Sequence, residues 1–218
     1  MTGFFDSGFG GLCILEAFLR ECPDEPFVYI ADNGNCPYGN KSQPEIIAIA
    51  ERLTKELIEV HRCNPIVLAC NTATAQAVDF LREAHPDIKF VGLEPAIKPA
   101  ALSSKSKVVG VLATRGTFAG RLYRATSCRY AGDVKVITQV ADDWVDLVER
   151  GVTDGPEAEK AVGDKILPLL AAGADQLVLG CTHFPHLKPV IERIAAGRAE
   201  VVDPSQAVAR QIRRFVKP

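Results

Sequence analysis

The chain has 218 residues, 47% hydrophobic and 24% charged, with a formal net charge of -2 at pH 7. That balance supports one ordinary domain or two small ones with a real core and excludes a disordered chain. No basic stripe suggests nucleic acid, no apolar run is long enough to span a bilayer, and no basic-then-apolar leader is visible, so the expected setting is cytoplasmic with no membrane.

Short apolar runs alternate with helical patterns along the chain. The first run, Gly3–Phe5, leads into Asp6-Ser7-Gly8-Phe9-Gly10-Gly11, a glycine-rich loop whose amides can approach an anion closely. Phe27–Ala31 is the second run. Ser42-Gln43-Pro44-Glu45 then fits a capping box opening a helix to about Arg62. Ile66–Ala69 ends at Cys70-Asn71-Thr72, ahead of another helical pattern. Phe90–Leu93, Val108–Leu112 and Val134–Ile137 follow. Asp154-Gly155-Pro156 starts a helix, and Leu177–Leu179 runs into Gly180-Cys181-Thr182-His183. Val201–Val202 precedes Asp203-Pro204, which starts the last helix, since proline suits a first helical turn. Such runs read as strands of parallel sheets buried on both faces, and the alternation predicts an α/β fold.

The segment around Cys70 resembles the segment around Cys181, half a chain length further on: Ile66-Val67-Leu68-Ala69-Cys70-Asn71-Thr72 against Leu177-Val178-Leu179-Gly180-Cys181-Thr182-His183. A weaker match sets Gly3-Phe4-Phe5-Asp6-Ser7 beside Gly110-Val111-Leu112-Ala113-Thr114. The expectation is two similar α/β domains facing each other across a cleft. The first comprises residues 1–96 plus 204–218 and carries Cys70; the second comprises residues 97–203 and carries Cys181. In open parallel sheets ligands bind beyond the carboxyl ends of the strands, where both cysteines fall.

Two cysteines from opposed halves suit a reaction that removes a proton from one face of a carbon and returns one to the other. A free thiol has a pKa of roughly 8.5, so modest tuning by helix N-terminal amides is expected to supply both thiol and thiolate near neutrality. Asp6 near Cys70 and His183 near Cys181 are candidate tuners. Asn71, Thr72, Thr114, Thr117 and Thr182 offer neutral donors and acceptors for a small zwitterion without a metal.

Four segments carry a family resemblance. Asp6-Ser7-Gly8-Phe9-Gly10-Gly11, Pro37-Tyr38-Gly39-Asn40-Lys41-Ser42, Ala69-Cys70-Asn71-Thr72-Ala73-Thr74 and Leu179-Gly180-Cys181-Thr182-His183-Phe184-Pro185 resemble, in order, signature segments of bacterial glutamate racemases. The resemblance implies the two-domain aspartate/glutamate racemase fold, no cofactor, L- and D-glutamate as substrates, a homodimer, and a role in supplying D-glutamate for peptidoglycan. It implies Cys70 and Cys181 as the catalytic pair, assisted by Asp6, Glu149 and His183. Ser7, Pro37, Tyr38, Gly39, Asn71, Thr72 and Thr182 correspond to substrate contacts, with Thr114 and Thr117 beside them. It further implies that the first-half cysteine acts on the D-enantiomer and the second-half cysteine on the L-enantiomer. The chain departs from the pattern at Asn33 and Asn35, where the family usually has threonine and arginine. It departs again at Ala141-Asp142, in place of a Cys-Pro pair, which adds acid near Glu149. Starting almost at the first strand, it is expected to do without the N-terminal extension that some members use for activation.

Simpler readings stand beside these. The chain has seven cysteines, an odd number, and no C-x-x-C pair, so neither a disulfide framework nor a structural zinc site is expected. Cys13, Cys22, Cys36, Cys63 and Cys128 read as small buried hydrophobes. Asp6 suits a helix N-cap. Cys181-Thr182-His183 offers two metal ligands with no third in view. His61, His85 and His186 read as surface or capping residues, and Lys41 lacks the surroundings of a Schiff-base lysine. An aspartate racemase, an isomerase or lyase of the same fold, and a non-catalytic amino-acid-binding relative remain as alternatives. His183 favours glutamate, because related aspartate enzymes usually carry an acid at that position.

Overall fold

The computed structural model describes residues 1–121, 123–125 and 134–216; Cys128 lies outside the described residues. Two four-stranded sheets form, each parallel throughout. The first contains β1 (Thr2–Asp6), β2 (Phe27–Ala31), β3 (Ile66–Leu68) and β4 (Phe90–Gly92), in the order β2-β1-β3-β4. The second contains β5 (Val108–Ala113), β6 (Lys135–Val140), β7 (Gln176–Gly180) and β8 (Glu200–Val202), in the order β6-β5-β7-β8. The orders match position for position, which is the duplication expected from the two cysteine segments.

The central strands are buried as the unbroken apolar runs predict: β1, β3 and β7 are covered along their whole length, and β5 at all but Val108. The outer strands β2, β6 and β8 are only half covered, against the expectation of burial on both faces. They sit at sheet edges, where no further strand flanks them. Their runs are apolar because one face still meets the helices; Val28 and Ile30 pack on the core that holds Phe5 and Leu68.

In the first half the helices are α1 (Leu12–Glu21), α2 (Gln43–Glu59) and α3 (Asn71–Ala84). The capping box forms, with the Glu45 carboxylate accepting from the Ser42 amide at 2.8 Å. Helix α2 stops at Glu59, short of Arg62, which closes the segment in the left-handed region at φ 56°. Around the second sheet lie α4 (Ile97–Ser103), α5 (Arg115–Ala119), α6 (Asp143–Glu149), α7 (Gly155–Ala171) and α8 (Lys188–Ala195). The final helix, α9 (Ser205–Val216), returns to the first half, where Val208 and Ile212 pack with Phe4, Ile14 and Phe18. Among the described residues no helix is long and apolar enough to cross a membrane.

In both sheets, the loops that leave the two central strands carry the polar residues singled out in the sequence. Asp6 ends β1, and Cys70 follows β3; Ala69 N donates to Phe5 O at 2.8 Å, so the two strand ends lie side by side. Thr114 follows β5 and Cys181 follows β7 in the same arrangement, with Ala113 paired to Gly180.

Candidate active site

A cleft of about 220 Å³ opens between the two sets of strand ends. Its volume lies below the range of about 300–1,000 Å³ usual for drug-sized ligands, so it suits a small metabolite. Ser7, Pro37, Tyr38, Gly39, Cys70 and Thr72 line it from the first half, and Thr114, Cys181 and His183 from the second. Asn71, Thr117, Thr182 and Asp6 are buried just behind this wall.

Cys70 caps α3. Its backbone is extended, and its Sγ accepts from Ala73 N at 3.4 Å, while Ser7 Oγ lies 3.9 Å away. This is the helix N-terminal placement expected from Cys-Asn-Thr. Cys181 has no equivalent α-helix, because a short 3₁₀ turn at Phe184–Leu187 follows it. Its Sγ instead lies 3.7 Å from His183 Nδ1.

The thiols are not tuned towards neutrality as the sequence suggested. Burial pushes the Cys70 thiol far above its ordinary value, and the nearby Asp6 charge adds to the rise. Burial also pushes Cys181 well up, reinforced by charge on Cys70 and Asp6. The helix amides and the Ser7 hydroxyl oppose this at Cys70 without outweighing it. Desolvation disfavours the charged form of any acid, and both sulfurs are almost wholly enclosed.

On the Cys181 side, His183 forms a short chain of contacts. Its Nε2 lies 2.5 Å from Glu149 Oε1, and the same oxygen accepts from Phe9 N at 2.9 Å. The hydrogen bond from His183 and that from the Phe9 amide hold the Glu149 carboxyl below its ordinary value. An ionised carboxylate only accepts, so Nε2 carries the proton and Nδ1 faces the Cys181 sulfur. In the neutral ring Glu149 thereby keeps the proton on Nε2 and leaves the Nδ1 lone pair towards the Cys181 sulfur, 3.7 Å away.

On the other side Asp6 is fully enclosed, and burial pushes its carboxyl up, while His183 and the loop amides pull it down. Its Oδ2 accepts from Gly11 N at 2.7 Å, and its Oδ1 lies 3.5 Å from Thr182 Oγ1. It does not cap a helix, since α1 begins at Leu12 without a side-chain cap; Asp6 gathers the glycine loop instead. That loop packs directly on the Glu149–His183 pair. A Cβ on Gly10 would sit 2.5 Å from His183 Nδ1, and one on Gly8 would overlap Glu149 Oε1. The glycines are needed here for close approach, since neither has a positive φ.

Thr72, Thr114 and Thr117 join the halves. The Thr72 hydroxyl lies 2.8 Å from that of Thr114 and 3.4 Å from that of Thr117, and the last two are 3.0 Å apart. Asn71 is buried, and neither its side-chain nitrogen nor its oxygen has a partner among the described residues. Tyr38 is held by its hydroxyl donating to Asp32 Oδ2 at 2.7 Å.

The structure also places in or beside the cleft residues to which the sequence reading gave no catalytic or binding role. Asp143 and Asp146 line the cleft from α6, and so does Asp142, just ahead of that helix, whose Oδ1 accepts from Arg115 N at 2.9 Å. The Ala141-Asp142 departure therefore places acid on the wall of the cleft itself. Cys36 is half-buried beside Glu149 and His183, with one ligand-type atom from each of the three all within 4.8 Å of one another. A third ligand-type side chain thus does stand beside His183, although nothing in the local sequence connects positions 36, 149 and 183. His186 is not simply a surface residue: its Nε2 lies 3.3 Å from Gly10 O in a partly buried position.

Residues 13–212 match the family described as Asp/Glu/Hydantoin racemase. A glutamate racemase of Herpetosiphon aurantiacus is 48% identical over 214 residues, covering 98% of this chain and 84% of that protein. Among solved structures, Escherichia coli glutamate racemase in complex with L-glutamate and the activator UDP-MurNAc-ala aligns with a TM-score of 0.90 at 32% identity. That alignment covers 99% of this chain and 82% of that one. Glutamate racemase from Francisella tularensis in complex with D-glutamate aligns with a TM-score of 0.86 at 28% identity, covering 99% and 80%. With the duplicated sheets and the paired cysteines, these likenesses mean that the chain belongs to the Asp/Glu/Hydantoin racemase family and, within it, to the glutamate racemases.

Proposed function

We propose that the protein interconverts L- and D-glutamate by two-cysteine acid/base catalysis without a cofactor. The observation that carries this reading is the placement of Cys70 and Cys181 at equivalent strand ends of two duplicated halves, both lining one small cleft. One sulfur, as thiolate, takes the Cα proton and becomes a thiol. The electron pair stays on Cα, and the opposite thiol gives its proton to the other face and becomes a thiolate. Reversal of the two roles returns the other enantiomer.

In this reading His183, oriented by Glu149, takes and returns the Cys181 proton. Asp6 and Ser7 set the surroundings of Cys70. The substrate's polar groups meet Ser7, Pro37, Tyr38, Gly39, Thr72, Thr114, Thr117, Thr182 and His183. Asn71 fits the same role, because a buried amide without a protein partner is costly unless a ligand satisfies it. Residues 1–96 with 204–218 form one domain and residues 97–203 the other, so the halves can part to admit substrate. The D-glutamate formed supplies peptidoglycan synthesis in the cytoplasm, and the working form is a homodimer; both points are supported by the resemblance to bacterial glutamate racemases.

The test is a circular-dichroism assay of purified protein, dialysed against chelator, with L-glutamate and L-aspartate in parallel. Decay of the L-glutamate signal to zero, with little change for L-aspartate, is the expected result. Activity that vanishes on chelation and returns with metal, or faster turnover of aspartate, overturns the reading.

A further inference from the structure

We propose that Cys36, Glu149 and His183 form a binding site for a thiophilic divalent cation such as Zn²⁺, whose occupancy blocks the proton relay at Cys181. The three side chains come from separate segments: the turn before Pro37, the end of α6 and the loop after β7. They offer a thiol sulfur, a carboxylate oxygen and an imidazole nitrogen, all within 4.8 Å of one another. Zinc bonds of about 2.0–2.3 Å place ligand atoms roughly 3.3–3.8 Å apart in a tetrahedron. Binding must bring this set from separations of up to 4.8 Å to that spacing, and three protein ligands leave the fourth position to water.

The donor set selects the metal class. One thiolate and one imidazole favour zinc or cadmium over magnesium or calcium, which prefer oxygen ligands. The thiolate and the carboxylate together neutralise the dication, and Asp6 and Asp146 lie near enough to Cys36 to add negative potential. Burial pushes the Cys36 thiol up to about 12, so the free protein holds it protonated. A bound cation reverses this by replacing the thiol proton.

The step balances as follows. The metal bonds to Cys36 Sγ, His183 Nε2 and a Glu149 oxygen. The thiol proton leaves to solvent, and the imidazole proton moves from Nε2 to Nδ1. His183 then presents an N–H to Cys181 in place of a lone pair and can no longer accept the Cys181 proton. The Glu149–His183 hydrogen bond that fixes the working tautomer is replaced by two metal bonds. Binding releases a proton, so apparent affinity rises with pH.

The reading of occupancy is independent of racemisation, because thiolate-to-cadmium charge-transfer absorption reports ligation whether or not glutamate turns over. Dialysed protein is titrated with Cd²⁺ and followed in the ultraviolet, and Zn²⁺ inhibition is measured alongside. The expected result is one saturable band at one equivalent in the wild type. Cys36→Ala should keep its metal-free activity, bind Cd²⁺ more than about 100-fold more weakly, a larger loss than outer-shell changes bring, and resist Zn²⁺. Glu149→Gln, read by absorption alone, should also bind more weakly, which keeps the test decisive if Cys36→Ala fails to fold. Lack of a band in the wild type overturns the proposal. So does a band and inhibition unchanged in Cys36→Ala, which would send the metal to Cys70 and Cys181.

Discussion

Glu149 Oε1 lies 2.5 Å from His183 Nε2, joining a helix end to a strand-end loop in the same half of the molecule. The first prediction tests this pair. Glu149→Gln keeps the shape of the side chain but removes the charge that holds the proton on Nε2. We expect proton exchange at the face served by Cys181 to slow by about 10²-fold or more, the low end of what positioned acid/base groups contribute. Solvent-deuterium wash-in from each enantiomer measures it, and equal slowing of both faces would count against the assignment. The change should also alter acid stability. Because the Glu149 carboxyl is held below its ordinary 4.5, its contribution is present above that value and lost as pH falls through the lowered one. Thermal melts of Glu149→Gln should therefore lose less stability than the wild type across that acid range.

The two sulfurs should divide the labour. Cys70→Ser and Cys181→Ser should each nearly abolish racemisation, because a hydroxyl is too weak an acid to exchange roles with a thiolate. Each variant keeps one competent sulfur. On the family's assignment, Cys181→Ser should retain more α-proton exchange with the D-form, or more elimination from the D-form of a β-substituted or N-hydroxy analogue that carries a leaving group, and Cys70→Ser likewise with the L-form. Polarimetry with mass-spectrometric exchange checks this; either variant racemising near the wild-type rate would end the two-cysteine mechanism.

Thiol reactivity in the ligand-free enzyme gives a pH test. Burial pushes both Cys70 and Cys181 far above the ordinary thiol value. Only the thiolate is nucleophilic, so alkylation of each should rise about tenfold per pH unit from neutrality upwards. Peptide mapping after timed iodoacetamide exposure measures the two sites separately. A plateau below pH 8 at either site would show a thiolate already formed at neutrality.

Gly10→Ala should damage activity more than stability. The added Cβ would meet the His183 ring at 2.5 to 2.7 Å, so the ring must shift. Overpacking of this kind costs about 1–3 kcal/mol, which leaves a folded protein. A displacement approaching 1 Å at a catalytic group costs roughly 10²-fold in rate. Paired thermal melts and kcat measurements decide it; kcat within a few-fold of wild type would show that the loop does not position His183.

The sequence by itself determined the elements and the kind of site. Unbroken apolar runs ending in Asp6, Cys70, Thr114 and Cys181 specify parallel strands whose ends gather polar groups, because strand burial and helix capping are written in neighbouring residues. The capping box at Ser42 is legible for the same reason, and the resemblance supplied Glu149, which no local pattern marks. Only the tertiary structure decided which strands lie at edges, that burial outweighs the helix amides at Cys70 and the His183 amide at Cys181, and that Cys36 stands beside Glu149 and His183. The acids Asp142, Asp143 and Asp146 likewise became part of the cleft wall only through the fold. Desolvation depends on everything that surrounds an atom, and the approach of positions 36, 149 and 183 depends on the register of separate elements. Neither quantity is carried by any short stretch of chain.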